Sequence, residues 1–389
     1  MRKKLIRVLI IILVAVFVQG FFTAKANDDI NDENELTDKI SEIIGDVDFS
    51  ELEKYINECS AIICKGGSVK SILVSLASGK GIDGYENIYK DLLTITFNGI
   101  SDKIPVFISI FVLLVICTVF NGAASDKVGG VGEIIKFVVY STAVSVIATI
   151  AVSIIGSAKT ACERVVKIIQ ATFPLILAFL TASGGAAQVA TYSPSALFIQ
   201  NFTSVFICKT IFPVISTMLA LSIVSNLSKT VKLQGLIDFL SGFIKWTIGL
   251  IGSLFTILSA IKGANAGAFD GVGLRALKYA VGTSVPIIGG VASGSADFVI
   301  SAIILTKNAL GAFTAVILFG AILTPVCDIV VMNLSLKLLG AITEPFGDGE
   351  IYKFIKSCVG VINHALAAIV IASLMLIITI LLVITSSVI

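Results

Sequence analysis

A hydrolytic triad, a histidine metal site and a proton relay all draw on imidazole, and this chain has a single histidine, His364, beside Asn363. One imidazole cannot supply a His-x-x-x-His metal pair, and it stands at the start of an apolar run, where a lone histidine packs between helices or sits at the interface. The phosphate-cradling pattern G-x-x-x-x-G-K-[ST] is absent, so the chain is not itself a P-loop ATPase. The run Glu344-Pro345-Phe346-Gly347-Asp348-Gly349 is too short for a calcium loop and reads as a polar turn between spans. The expectation is therefore no catalytic residue, no cofactor-binding residue, no metal ligand and no cofactor.

What remains chemically is charge placed in apolar sequence. Asp297, Lys307 and Asp328 lie within or beside apolar runs, as do Lys209 and Lys337. Ionised groups in hydrocarbon are costly, so they pair, snorkel to the interface or line a wet pathway. Asp297 and Lys307 are ten residues apart, about 15 Å on one helix, and cannot pair along it. Lys307 and Asp328 could pair across a helix hairpin. A second feature is the set Gly263, Gly267 and Gly271, two consecutive small-x-x-x-small steps that let helix backbones approach closely. It reads either as a helix-packing seam or as a subunit contact or gating hinge. Asp270, Arg275 and Lys278 follow it, with Asp270 and Arg275 placed to pair near a membrane surface.

The elements that must carry these groups follow from composition. Of 389 residues, 56% are hydrophobic and 14% charged, and the mean hydropathy is +1.01. An average soluble protein has about a quarter of its residues charged. So apolar a chain cannot cover itself with polar surface, which excludes a soluble enzyme, a disordered scaffold and a secreted disulfide module. The expected fold is all-α, a polytopic helical membrane protein with a small helical extracytoplasmic region at its N-terminus.

Charge divides the chain in three. Residues 1–26 hold five bases and no acid, residues 27–103 hold 16 acids against 7 bases, and residues 104–389 hold 10 acids against 16 bases. The first region has a basic start, an apolar run from Val8 to Val18 and an Ala24-Lys25-Ala26 cleavage pattern, the layout of a signal peptide. Its apolar run of about 11 residues is too short to cross about 30 Å of hydrocarbon. Residues 27–103 are then an acidic extracytoplasmic helical region. Leu36, Ile40, Ile43 and Ile44 recur at helical spacing, as do Leu52, Tyr55 and Ile56, and then Val69, Ile72, Leu73 and Leu76 before Gly79. Cys59 and Cys64 form a disulfide there or stay as free thiols. The other five cysteines read as small hydrophobes in apolar spans.

Residues 104–389 form a multi-span bundle. Strong spans are expected at 104–123, 135–157, 168–189, 204–226, 243–262, 309–333 and 359–386. The stretch 284–305 carries Pro286, Gly289, Gly290, Gly294 and Asp297, the pattern of a broken or re-entrant helix, giving seven or eight crossings. Segments 158–169 and 227–242 alternate bases with apolar residues and read as interfacial amphipathic helices.

The block from Phe269-Asp270-Gly271 through Arg275, Lys278 and Val285-Pro286-Ile287-Ile288-Gly289-Gly290 resembles the stage III sporulation protein AE family. So do Leu305-Thr306-Lys307-Asn308-Ala309 and Glu344-Pro345-Phe346-Gly347-Asp348. Asp270, Arg275, Lys278, Pro286, Asn308 and Pro345 are the motif residues of that likeness. Ala276 and Asp328 depart from it, where threonine and a base are expected.

The resemblance implies a non-enzymatic membrane component of a mother-cell to forespore channel or secretion-like apparatus needed for endospore development. It would sit as a multi-pass protein in the mother-cell membrane around the forespore. Its partners would be other integral and extracytoplasmic proteins of that complex, with a separate ATPase subunit and the lipid bilayer, and no nucleic acid. The broken segment, the repeated prolines (Pro174, Pro213, Pro286, Pro325) and the buried charges support an alternative, a secondary transporter or permease for a small solute.

Overall fold

The computed structural model describes residues 33–59, 68–79, 129–185, 201–227, 233–265, 289–343 and 350–385, with scattered helical positions in 101–116 and 189–199. All regular structure among the described residues is helical. Three short helices, α1 (Glu33–Gly45), α2 (Ser50–Cys59) and α3 (Val69–Ala77), make a head. Five longer ones follow: α4 (Gly129–Ala182), α5 (Phe212–Leu227), α6 (Gln234–Asn265), α7 (Gly289–Thr343) and α8 (Glu350–Thr385). A π-helical segment, Thr203–Ile211, runs directly into α5.

The head obeys its sequence periodicity. Leu36, Ile40 and Ile44 of α1, Leu52 and Ile56 of α2, and Val69, Ile72 and Leu73 of α3 are buried, with Phe49 from the α1–α2 turn among them. These rows lie three and four residues apart, so each helix turns one apolar stripe inward. Ser68 caps α3 by accepting from the Ser71 amide. The carboxylate of Glu53 accepts the Val69 amide at 3.2 Å, and Lys70 donates to the Gly45 carbonyl at 2.9 Å, so side chains join the three helices. Past α3, Gly79 takes φ +73, the left-handed region where a Cβ is disfavoured. The helices rest on α4 and α7, with the Lys167 ammonium 5.9 Å from the centre of the Tyr55 ring.

The body differs from the expected span list. Among the described residues, five helices are long and apolar enough to cross a membrane: Phe137–Ala182, Val205–Leu227, Gln234–Ile257, Phe298–Ile342 and Ile351–Val383. The expected span 135–157, the interfacial segment after it and residues 168–182 of the next expected span are one helix, α4, which ends at Ala182 before Gly184 takes φ +89. The bases Lys159 and Arg164 lie on its outer side only. Ala158, Ala161, Cys162, Val165, Val166 and Ile169 continue the buried stripe past them, so nothing breaks the ladder.

Likewise the described part of the stretch expected to be broken, from Gly289 onward, is the start of α7, and it runs without interruption into the expected span 309–333. Glycines at 289, 290 and 294 cost about 1 kcal/mol each in a helix but do not end one. Pro286 lies outside the described residues. Pro174 and Pro325 are both inside helices, where each removes one backbone hydrogen bond without ending the helix. Residues 234–242, expected at the interface, are the first turns of α6.

At 54 and 55 residues, α4 and α7 are each about 80 Å long, well over twice the hydrocarbon thickness. Burial divides them. Large exposed apolar side chains sit on α4 at Ile134, Phe137, Val138 and Val152, and on α7 at Val330, Leu334 and Leu338. They also line α6 from Leu236 to Ile257. Among the described residues from 153 to 182 of α4 and from 298 to 329 of α7, no large apolar side chain is exposed; Ile169, Phe173, Ile176, Leu310, Phe313 and Ile317 are buried instead. Among the described residues, the large exposed apolar side chains of α4 and α7 are thus gathered on one part of each helix, and along the rest the large apolar residues are buried or half-buried.

Candidate functional site

The polar groups of the body meet along α8. Its first half has buried residues at Phe354, Ile355, Cys358, Val361, Ile362 and Ala365, a stripe that sets the helix among its neighbours. Polar side chains flank that stripe and find partners on three other helices. Ser357 donates to the Ser222 hydroxyl of α5 at 3.0 Å. His364 Nε2 lies 3.0 Å from the Ser241 hydroxyl of α6. Asn333 of α7 donates through Nδ2 to Asn363 Oδ1 at 2.6 Å. Two further bridges stand apart from α8: the Tyr140 hydroxyl donates to the Asn226 carbonyl at 3.0 Å, and the Thr172 and Thr314 hydroxyls are 3.5 Å apart.

The histidine tautomer follows from its neighbours. His364 Nδ1 is 2.7 Å from the Gly360 carbonyl, which can only accept, so Nδ1 carries a proton. In the neutral ring Nε2 is then an acceptor, and the Ser241 hydroxyl donates to it. The ring is thus held on both sides, between its own helix and α6. Lys245, one turn along α6 from Ser241, lies within electrostatic reach of the ring.

These bridges fix relative heights. Asn333 is level with Asn363. A Cβ placed on Gly340 would lie 3.3 Å from Ile355 Cγ2 and 3.6 Å from the Tyr352 ring, so the residue numbers fall on α7 as they rise on α8. Thr172 of α4 is level with Thr314. Lys167, which meets the head, stands five residues from Thr172 on the Tyr140 side, near the level of residue 319 of α7. From there to Lys337 is 18 residues, about 27 Å. Lys167 beside the head and Lys337 with Lys353 and Lys356 at the other end are thus separated by about one hydrocarbon thickness, while Lys159 stands about 12 Å nearer to Lys337 than Lys167 does.

Of the residues singled out in the sequence, Lys307 is fully buried in α7, and its neighbour Asn308 has a buried Oδ1 that finds no hydrogen-bond partner among the described residues. Asp328 is half-buried on the same helix. Being 21 residues apart, Lys307 and Asp328 are separated by about 31 Å, so pairing across a hairpin is corrected: no hairpin lies between them. Asp297 is also in α7, and Gly263 is in the last turn of α6. Gly267, Gly271, Asp270, Arg275, Lys278, Pro286 and Pro345 lie outside the described residues, as does the pairing of Cys59 with Cys64. Among the described residues, no group of three His, Cys, Asp or Glu side chains is placed to hold a metal.

Sequence reasoning missed Asn333, Ser222, Ser241 and Ser357 as partners. Asparagine inside an apolar span was the available signal, because amides there seek each other across helices. It also read Cys162 and Cys208 as separate small hydrophobes. They are buried with their sulfurs 2.8 Å apart, joining α4 to the π-helical segment as free thiols.

Residues 67–387 match the family described as Stage III sporulation protein AE. The chain is also similar to stage III sporulation protein AE of Bacillus subtilis (strain 168), with 30% identity over 236 residues. That match covers 60% of this chain and 58% of the relative's length, so the chain spans under two thirds of the curated relative it matches. No solved structure matches it.

Proposed function

Because the chain belongs to the stage III sporulation protein AE family, we propose that it is a non-enzymatic membrane component of a channel or secretion-like apparatus between mother cell and forespore, needed for endospore development. It would sit in the mother-cell membrane around the forespore, with the acidic head outside the cytoplasm. Other integral and extracytoplasmic proteins would assemble on it, and a separate ATPase subunit would supply energy. The observation that carries this reading is the direct seating of α1–α3 on α4 and α7. A partner that binds the head therefore bears on α4 and α7 through direct helix contacts.

Affinity purification of the full chain from sporulating cells tests it. The expected result is co-purification with several membrane proteins, and loss of them when Gly267→Leu or Gly271→Leu closes the small-residue seam. Recovery of the chain alone from such cells would sink the proposal.

A second reading, a permease for a small solute, is favoured by one observation, the fully buried Lys307 in a membrane-length helix. It requires that the purified chain in vesicles moves a solute. It also requires that Asp297→Ala, Lys307→Ala and Asp328→Ala together stop that movement.

A further inference from the structure

We propose that the edge of the bundle farthest from the head carries a binding site for the phosphate of an anionic membrane lipid, formed by Lys337 of α7 with Lys353 and Lys356 of α8. All three side chains are exposed. Their placement follows from the Asn333–Asn363 bridge. Lys337 is four residues from Asn333, about 6 Å along α7, and Lys356 is seven residues from Asn363, about 10.5 Å along α8. The two helices run in opposite directions, so both displacements point toward the same end of the bundle. The ammonium-bearing residues Lys337 and Lys356 are then within about 5 Å of each other in height, and Lys353 is a further turn outward.

On α8, Lys356 and Asn363 are seven residues apart and so share a face, and Asn363 is the residue that reaches α7. Lys356 therefore lies on the side of α8 that borders α7, with Lys353 less than a quarter-turn from it. The result is three basic side chains at one edge of this helix pair, with Glu350 one turn from Lys353 at the start of α8.

The occupant is identified by what continues from the lysines. On α7, Leu334 is 68% exposed and Val330 46% exposed, one and two turns from Lys337 toward the head, and Leu338 beside it is exposed as well. A phosphate at the three ammonium groups would place attached acyl chains along Leu334 and Val330. Charge complementarity at one end and exposed apolar surface at the other fit a phospholipid with a net negative headgroup, and basic clusters between membrane helices bind such headgroups. A zwitterionic lipid brings its own cation and gains less. A free phosphate makes no use of the apolar strip.

The test uses the full chain purified in a zwitterionic detergent, given mixed micelles of phosphatidylglycerol or phosphatidylcholine, with bound lipids counted by native mass spectrometry. The parent chain should retain at least about fivefold more phosphatidylglycerol than phosphatidylcholine. The triple variant Lys337→Gln, Lys353→Gln, Lys356→Gln should bring retention of the two lipids to the same level. The triple arginine variant should keep the preference, because charge is conserved. Lys167→Gln, beside the head, should leave the preference unchanged. The proposal is overturned if the triple glutamine variant holds phosphatidylglycerol as well as the parent does. It is overturned too if the parent shows no preference, or if glycerol 3-phosphate displaces the lipid as readily as added phosphatidylglycerol, which would make the site one for a free anion.

Discussion

Asn333 and Asn363 join α7 to α8 amide to amide at 2.6 Å, across 30 residues of sequence and inside the membrane-length part of both helices. Asn333 is 4% exposed, and its own Oδ1 is without a hydrogen-bond partner among the described residues. An amide half-used in this way ties its helix to one rotation about the axis, because turning it away would strand the Nδ2 as well. The direct prediction is a measurable coupling. In a double-mutant cycle of Asn333→Ala and Asn363→Ala, followed by thermal unfolding in detergent, the interaction should be about 0.6 to 2 kcal/mol. Strictly additive effects would show that the two amides do not act on each other.

The ring of His364 should behave as a tether between α8 and α6. Ser241→Ala removes its donor while leaving the Gly360 contact in place. The expected cost is about 0.5 to 1.5 kcal/mol. Ser241→Ala in a His364→Leu background should cost much less than in the parent. An equal cost in both backgrounds would mean that the serine does not serve the histidine.

Gly340 is where α7 and α8 approach closely, since a Cβ there would lie 3.3 Å from Ile355 Cγ2 and 3.6 Å from the Tyr352 ring. Gly340→Leu would push its branched side chain against Ile355 and Tyr352 and should destabilise the detergent-solubilised chain by about 1 to 3 kcal/mol. Gly249→Leu, on a face of α6 with nothing within 4 Å, should leave the unfolding temperature almost unchanged. The contrast between the two glycines is the measurement; equal effects would contradict the close packing of α7 on α8.

Asp48 offers a titration outside the membrane. Its carboxylate accepts the Ser50 amide at 2.9 Å at the start of α2, and this bond is the main reason its pKa lies below the ordinary aspartate value. The Ser50 hydroxyl and the charge of Lys70 push the same way. A depressed folded-state pKa stabilises the folded head above the unfolded-state value of about 4, and the benefit fades as pH falls through the folded-state pKa. Carbon-13 NMR of the labelled carboxyl in the full chain should give a midpoint below that of a free aspartate. Ser50→Pro removes both donors at a position where helices accept proline, and should move the midpoint back up. A midpoint unmoved by that change would refute the assigned cause.

Much of the head could be read directly. Leu36, Ile40, Ile44, Leu52, Ile56, Val69, Ile72 and Leu73 are spaced as helical stripes, and burial follows that spacing because a short helix has only one way to hide a single stripe. The long helices were less legible. Lys159, Arg164 and Lys167 break the hydropathy run between residues 157 and 168 but do not break the helix, since hydropathy averages over all faces and the buried face there stays apolar. The glycines at 289, 290 and 294 imitate a helix break for a similar reason. Their local penalty is small against the burial gained farther along α7 by Leu310, Phe313 and Ile317.

Composition and order along the chain determined by themselves that it is helical, with helices long and apolar enough to cross a membrane and an acidic, amphipathic head, because apolar content and 3.6-residue periodicity are properties of the residues alone. Which polar groups meet was decided only in three dimensions. Ser241 and His364 are 123 residues apart, Ser222 and Ser357 are 135 apart, and Thr172 and Thr314 are 142 apart. Helix length and crossing place each of those pairs at one height, and no local pattern records the height at which two distant helices pass each other.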